Sequence, residues 1–330
     1  MSPSDQALAE AKSKYYEAAQ KEGKLVLYGN SLTPALFDST KAAFAGRFPG
    51  IELSGTEMAG RDIREKVIAE QASKNYVADI ALMGFTTQRD LTDAGLLEAY
   101  ESPQVSALFP QFVVPGGVVN PRNATLISLA VNTNLVPPDQ EPKVWDDVLD
   151  PKWKGKIAVL DPRGSGEGGT IVAGMELVYG LEWSSKLKAQ EPFFANATGP
   201  LWTGLVRGEY AMYLSARHVD AIVQRKAGAP VKFVKPKDGV GWTYSSMGNI
   251  KNQPHPNAAR LFIEWTLSAE GQGVLSKEGF VSVRPGLPSA EPEAGMEGVT
   301  LLPRDQTPEA NEKLGDDKVR TKRWDTVFFN

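Results

Sequence analysis

Residues 156–178, KIAVLDPRGSGEGGTIVAGMELV, run from strand formers through a glycine-dense turn into an apolar stretch. The turn, 161–170, holds four glycines, two small hydroxyl residues and one arginine. Three readings compete: a flexible linker, a nucleotide-phosphate cradle, or the mouth of a site for another ligand. A nucleotide cradle needs a lysine followed by Ser or Thr after its glycines, and this loop has no lysine. Gly164, Gly166 and Gly169 spell G-x-G-x-x-G by letter, yet no acidic residue closes a second strand about 20 residues on. What remains is general: a loop between strand and helix gathers free backbone N–H groups at the positive end of a helix dipole. Glycines let that backbone approach a ligand closely, while Ser165, Thr170 and the Arg163 fork add donors suited to an anionic oxygen. A surface loop without a ligand satisfies the same spacing.

The same strand-then-helix order recurs on both sides. KLVLYG (24–29), IELSGT (51–56) and ADIALMG (78–84) read as strands; Leu36, Ala43, Phe44 and Phe48 mark one helical face, and Ile63 and Val67 another. Further on, TLISLAVNT, EYAMYL and VKFV read as strands, VWDDVLDPKWKG as a short helix and turn, and 255–275 as one amphipathic helix with Ala258, Leu261, Phe262 and Trp265 in a stripe. Regular alternation argues for an α/β fold with parallel strands and crossover helices. Past Gly286 the chain turns rich in Pro, Glu and Asp and loses apolar periodicity, so 286–330 reads as a tail packing over the surface.

The totals narrow the function. A chain of 330 residues can form two lobes with separate cores, and 42% hydrophobic with 23% charged residues is ordinary globular composition. A net charge of -4 provides no basic field for nucleic acid or for an anionic membrane surface, and no apolar run suffices for membrane insertion. Cysteine is absent, which fits export to an oxidising compartment and equally fits chance or a cytosolic origin. Two histidines, His218 and His255, leave little for a His/Cys metal site or for Ser-His chemistry. No metal and no cofactor are expected.

Residues 142–170, PKVWDDVLDPKWKGKIAVLDPRGSGEGGT, resemble the central signature of the solute-binding proteins of ABC importers, in the branch that includes ferric-ion binders. GKLVLYGN, ADIALMGFTT, LISLAVNTNLV, the segment 206–239 and the segment 255–286 resemble other pieces of that family in the same order. The likeness covers roughly residues 20 to 286. It implies a two-lobed periplasmic-binding-protein fold of type II: a cleft between lobes, strands that act as hinges, and closure on the ligand. It places the first lobe at 1–120 and 236–285, the inserted second lobe at 121–235, and the tail at 286–330. It implies a periplasmic receptor, exported behind a signal peptide not seen in the polar MSPSDQALAEAK start, monomeric, and serving an inner-membrane ABC permease.

Within that resemblance Arg217-His218 stands where ferric binders carry a tandem Tyr-Tyr. A fixed cation repels a metal, whereas phenolates suit Fe(III). Glu57 and Asp62 alone make a poor iron cage, and Leu32 offers no donor. The implied ligand is therefore a small anionic organic solute bearing phosphate, phosphonate or carboxylate. Arg163 and Arg217 would be its charged donors, with Gly164, Ser165, Gly166 and Thr170 from the loop. Asn30, Ser31, Arg61, Thr86, Thr87, Thr198 and Ser215 would complete the ring, and Trp202 and Tyr213 would wall the organic body. Trp242 and Tyr244 are weaker wall candidates, since large aromatics mostly fill interiors. A ferric receptor and an enzyme on the same fold, with Glu57, Asp62, Glu167 and His218 as its only candidate groups, are the alternatives.

Overall fold

Leu8, Ala11, Tyr15 and Ala19 are buried at the three- and four-residue steps of a helix. That helix, α1 (Pro3–Glu22), opens the computed structural model, which describes residues 3–30, 32, 34–164, 166–304 and 307–330. The elements that follow are β1 (Lys24–Gly29), α2 (Pro34–Arg47), β2 (Glu52–Glu57), α3 (Gly60–Ser73), β3 (Ile80–Met83), α4 (Phe85–Asp93), β4 (Leu97–Glu98) and β5 (Asn120–Asn132). Next come β6 (Ile157–Leu160), α5 (Glu167–Tyr179), α6 (Glu182–Ala189), β7 (Phe193–Ala195), α7 (Thr198–Arg207), β8 (Met212–Arg217), α8 (His218–Lys226) and β9 (Val231–Val234). The chain closes with β10 (Gly241–Ile250), α9 (Pro256–Leu267), α10 (Ala269–Lys277), α11 (Pro308–Leu314) and α12 (Asp317–Trp324).

Two units emerge. The first holds Met1–Ala124 and Tyr244–Ala290, the second Thr125–Thr243 and Glu291–Asn330. In the first, β1 pairs in parallel with β2 and β3, and β10 runs antiparallel to β3, with Ser246 opposite Met83. The buried run of β1 lacks alternation because parallel strands carry helices on both faces. Val26, Tyr28, Ile63, Val67 and Met83 pack one layer; Phe44, Phe48, Phe262 and Trp265 form an aromatic layer, with Phe44 and Phe262 ring centroids 5.3 Å apart. Glu22, at the end of α1, accepts from the backbone N–H groups of Asn257 and Ala258 and so caps α9.

The second unit repeats the plan. Here β6 pairs in parallel with β7 and β8, while β8 and β9 lie antiparallel on either side of β5. Its core gathers Trp145, Trp153, Val159, Val172, Met175, Trp183 and Leu214. The Trp145 indole donates to the Gly239 carbonyl at 2.8 Å, and its backbone N–H donates to Asp238.

Three details differ from the sequence reading. The 255–275 stretch forms two helices, because Ser268 adopts an extended conformation and caps α10 by accepting from Gly271 N–H. The first unit resumes at Tyr244 rather than near 236, because 240–242 bond to 300–302: Val240 N–H to Thr300, Leu302 N–H to Val240, and the Trp242 indole to Leu302. Residues 291–330 are no mere surface tail: Leu302, Leu314, Trp324 and Phe328 lie in the second unit's core. Glu176 fixes them there, accepting from the Trp324 indole at 3.0 Å and from Arg323 at 2.5 Å.

Candidate functional site

In a parallel α/β sheet ligands gather at the carboxyl ends of the strands, where helices begin. The second unit places three such junctions together: β6 into α5, β7 into α7, and β8 into α8. No side chain caps any of these three helices among the described residues, so their first N–H groups stay available to an acceptor.

The glycines of the loop serve its shape first. Gly166 has φ +137°, a conformation that excludes ordinary side chains. Gly168 lies so close to β6 that a Cβ there would sit 2.1 Å from the Leu160 carbonyl oxygen. Thr170 turns its hydroxyl back onto the Gly166 carbonyl at 3.2 Å, and Gly164 is exposed. Ser165 lies outside the described residues.

Neither expected fork is unengaged. Arg163 donates to both oxygens of Asp161, at 3.1 and 2.7 Å, and to Asp325 at 2.5 Å, with its guanidinium carbon 3.5 Å from the Phe329 ring centroid. The hydrogen bonds to Asp161 and then to Asp325 raise its pKa further. As placed, Arg163 braces the loop against the C-terminal segment. Arg217 makes a bidentate pair with Asp220, at 2.9 and 3.0 Å, and approaches Glu167 to 3.6 Å. Burial lowers its pKa, but Asp220 and Glu167 outweigh that and the net shift is upward. Its side chain stays 38% exposed. This cluster therefore offers donors and acceptors side by side.

Tyr213 and Trp202 meet edge to face, ring centroids 5.4 Å apart, and both are buried. Burial pushes the Tyr213 phenol up, and Glu167, Asp220 and Arg217 all lie within its electrostatic reach. Among the described residues the buried Trp202 indole N–H has no hydrogen-bond partner. Thr198 is half-buried at the start of α7. Ser215 is fully buried and accepts from Leu160 N–H at 3.0 Å, which ties β8 to β6. His218 is fully buried and its Nδ1 accepts from Leu126 N–H. Trp242 and Tyr244 are buried too.

The first unit has a matching edge. The Asn30 N–H donates to Leu82, its amide lies near Gly84, and Thr87 packs its hydroxyl against Gly60 at the start of α3. Thus α3 and α4, both without side-chain caps, begin beside the end of β1. Thr87 is buried and Thr86 exposed, and Arg61 forms an exposed pair with Glu65 at 3.3 Å. Ser31 lies outside the described residues. Among the described residues no three His, Cys, Asp or Glu side chains are grouped to hold a metal. Sequence reasoning missed Glu167 and Asp220 as partners of Arg217: one is four residues beyond Arg163, the other three beyond Arg217, and only the fold joins them.

Residues 75–298 match the family of bacterial extracellular solute-binding proteins. This chain belongs to that family. The solute-binding protein is 28% identical over 274 residues to an uncharacterized protein of Haemophilus influenzae, spanning 79% of this chain and 78% of that one. Its fold is similar to that of the periplasmic binding protein AfuA of Actinobacillus pleuropneumoniae with fructose 6-phosphate bound (23% identity, 93% and 98% of the two chains, TM-score 0.67). It is also similar to that of iron-bound HitA of Pseudomonas aeruginosa (21% identity, 92% and 99%, TM-score 0.70). The solute-binding protein thus has the mixed α/β fold of type II periplasmic binding proteins. No helix among the described residues is long and apolar enough to cross a membrane.

Proposed function

We propose that this receptor captures a small organic solute bearing a phosphate, phosphonate or carboxylate group in the periplasm and hands it to an inner-membrane ABC permease. It does so as a monomer and as a carrier rather than a catalyst. The observation that carries the reading is the uncapped start of α5, beside the partly exposed Arg217 guanidinium at the end of β8. The partners of Arg217 refine the solute. Asp220 and Glu167 leave the cluster without surplus positive charge, so the anionic group is best met by backbone N–H groups at a helix start. The Arg217, Asp220 and Glu167 side chains then suit hydroxyls, which both donate and accept. Trp202, with its unpartnered indole N–H, and Tyr213 supply the apolar wall. A phosphorylated sugar combines these needs, and AfuA, a protein of the same fold, holds fructose 6-phosphate.

The test is thermal stability of the purified protein against fructose 6-phosphate, inorganic phosphate, a simple alkylphosphonate and citrate, with and without Arg217→Ala. A ligand at 100 times its dissociation constant adds about 2.7 kcal/mol, and the variant is expected to lose most of that gain. A receptor that responds to no anion, or a variant that responds in full, overturns the reading.

A further inference from the structure

The second unit carries a cavity of about 590 Å³ among the loop at 138–143, strand β9, the last turn of α8 and the segment at 292–293. Pro142, Phe233 and Val234 give it an apolar wall, and five cations line the rest: Lys143, Arg225, Lys232, Lys235 and Lys237. Two of these, and Lys226 beside them, are matched by carboxylates. Arg225 donates to Glu291 at 2.5 Å and to Glu293 at 2.6 Å, Lys226 pairs with Glu291, and Lys232 donates to both oxygens of Glu141 at 2.7 Å. Three carboxylates thus neutralise three cations. Among the described residues Lys143, Lys235 and Lys237 enter no ion pair.

Lys143 also borders a second recess that holds Asp146 and Asp147, so the excess positive charge rests chiefly on Lys235 and Lys237. Asp238, next to Lys237, is engaged elsewhere: it accepts from the Trp145 N–H at 2.9 Å and from the Tyr179 hydroxyl. Lys235 is half-buried and donates to the carbonyls of Pro292 and Gly295, at 2.9 and 2.6 Å, which leaves one of its three N–H groups unused. Burial lowers its pKa, and the charge of Glu293 only partly opposes this. The Lys237 N–H donates to the Lys143 carbonyl at 2.9 Å, so two like charges stand on adjacent backbone and repel. An anion in the cavity relieves both costs, and the space suffices, since small-molecule sites span about 300–1,000 Å³.

We propose that this cavity binds a small organic anion with at least two negative charges, its carboxylate or phosphate oxygens on Lys235 and Lys237 and its carbon body on Phe233 and Val234. Ammoniums act as point charges rather than forks, so the number of charges on the ligand, more than its oxyanion geometry, sets affinity. The site does not rest on the receptor reading above. Arg217 precedes α8 and Arg225 lies in its last turn, about 12 Å further along the axis.

The experiment is titration calorimetry of the full chain at constant ionic strength, with citrate and fructose 1,6-bisphosphate as probes and benzoate as a singly charged control. Wild type, Lys237→Glu, Lys235→Met and Arg217→Ala are compared. Lys237 is exposed, so Lys237→Glu is expected to keep its thermal midpoint within about 2 °C. At least one polyanion is expected to bind wild type and Arg217→Ala alike, and benzoate about tenfold more weakly or not at all. Lys237→Glu and Lys235→Met should each weaken that polyanion about tenfold or more; if Lys235→Met does not fold, Lys237→Glu decides. The two polyanions separate a carboxylate ligand from a phosphate one. Silence toward both polyanions, unchanged affinity in Lys237→Glu, affinity lost in Arg217→Ala, or benzoate bound as tightly overturns the site. A wild type that is stabilised by fructose 6-phosphate yet binds neither polyanion overturns this inference alone.

Discussion

Asp161 receives the backbone N–H of Arg163 at 2.9 Å and two further donors from its guanidinium. Burial alone would push its carboxyl up; the side-chain and backbone bonds from Arg163, with its charge, outweigh burial and hold it below the usual carboxylate range. A carboxyl whose folded pKa is depressed stabilises the fold above its unfolded value, near 3.9, and that contribution is lost as pH falls through the folded one. Arg163→Ala is accordingly expected to flatten the acid-side loss of stability below about pH 4, read by urea unfolding at stepped pH; an unchanged acid slope would show that the pair is not coupled to folding. The sequence shows this arginine and this aspartate two residues apart, but not that Asp325 and Phe329 arrive from the other end of the chain to claim the rest of the fork. Arg217 was legible as a charge at a strand end, and its carboxylate partners were not.

Among elements, the strand–loop–helix from 156 to 178 was fully legible, because buried β6, turn glycines and an apolar helix differ in pattern as well as composition. The purpose of its glycines was not. Gly168 faces the backbone of β6, with the Leu160 carbonyl oxygen and carbon 2.1 and 2.8 Å from where a Cβ would stand. Backbone at a strand end cannot swing aside, so Gly168→Ala should cost about 2 kcal/mol by overpacking, measured by urea denaturation. Gly174→Ala is the control: its nearest neighbour is the tip of the Leu302 side chain at 3.1 Å, which can give. Equal losses at both positions would refute the view that helix-to-strand closeness, rather than a ligand, fixes the loop's composition. Helix α1 went unread although Leu8, Ala11, Tyr15 and Ala19 carry its period; its polar majority hid a narrow stripe.

At the level of the whole chain, alternation and family likeness led to the expectation of two α/β units with an inserted middle, because one local grammar of strand, loop and helix repeats along the sequence. The last forty residues broke that grammar. Their apolar residues sit far apart in sequence, so no window shows a period, yet Leu302, Leu314, Trp324 and Phe328 complete the second unit's core. The two units also differ in what they owe this segment: the first takes its late residues from 244–290 and none from beyond. Removing 291–330 should therefore strip protection from amides of β6, β8 and α5 while those of β1, β3 and α9 exchange slowly, as read by native-state hydrogen exchange. Within the full chain, Trp324→Ala alone should cost about 3 kcal/mol or more, since it empties a filled core position and leaves the fully buried Glu176 without its indole donor. Uniform loss of protection across both units after truncation would mean that they fold as one cooperative block; unchanged protection in the second would mean that Trp324 and Phe328 merely cover a core that is already closed.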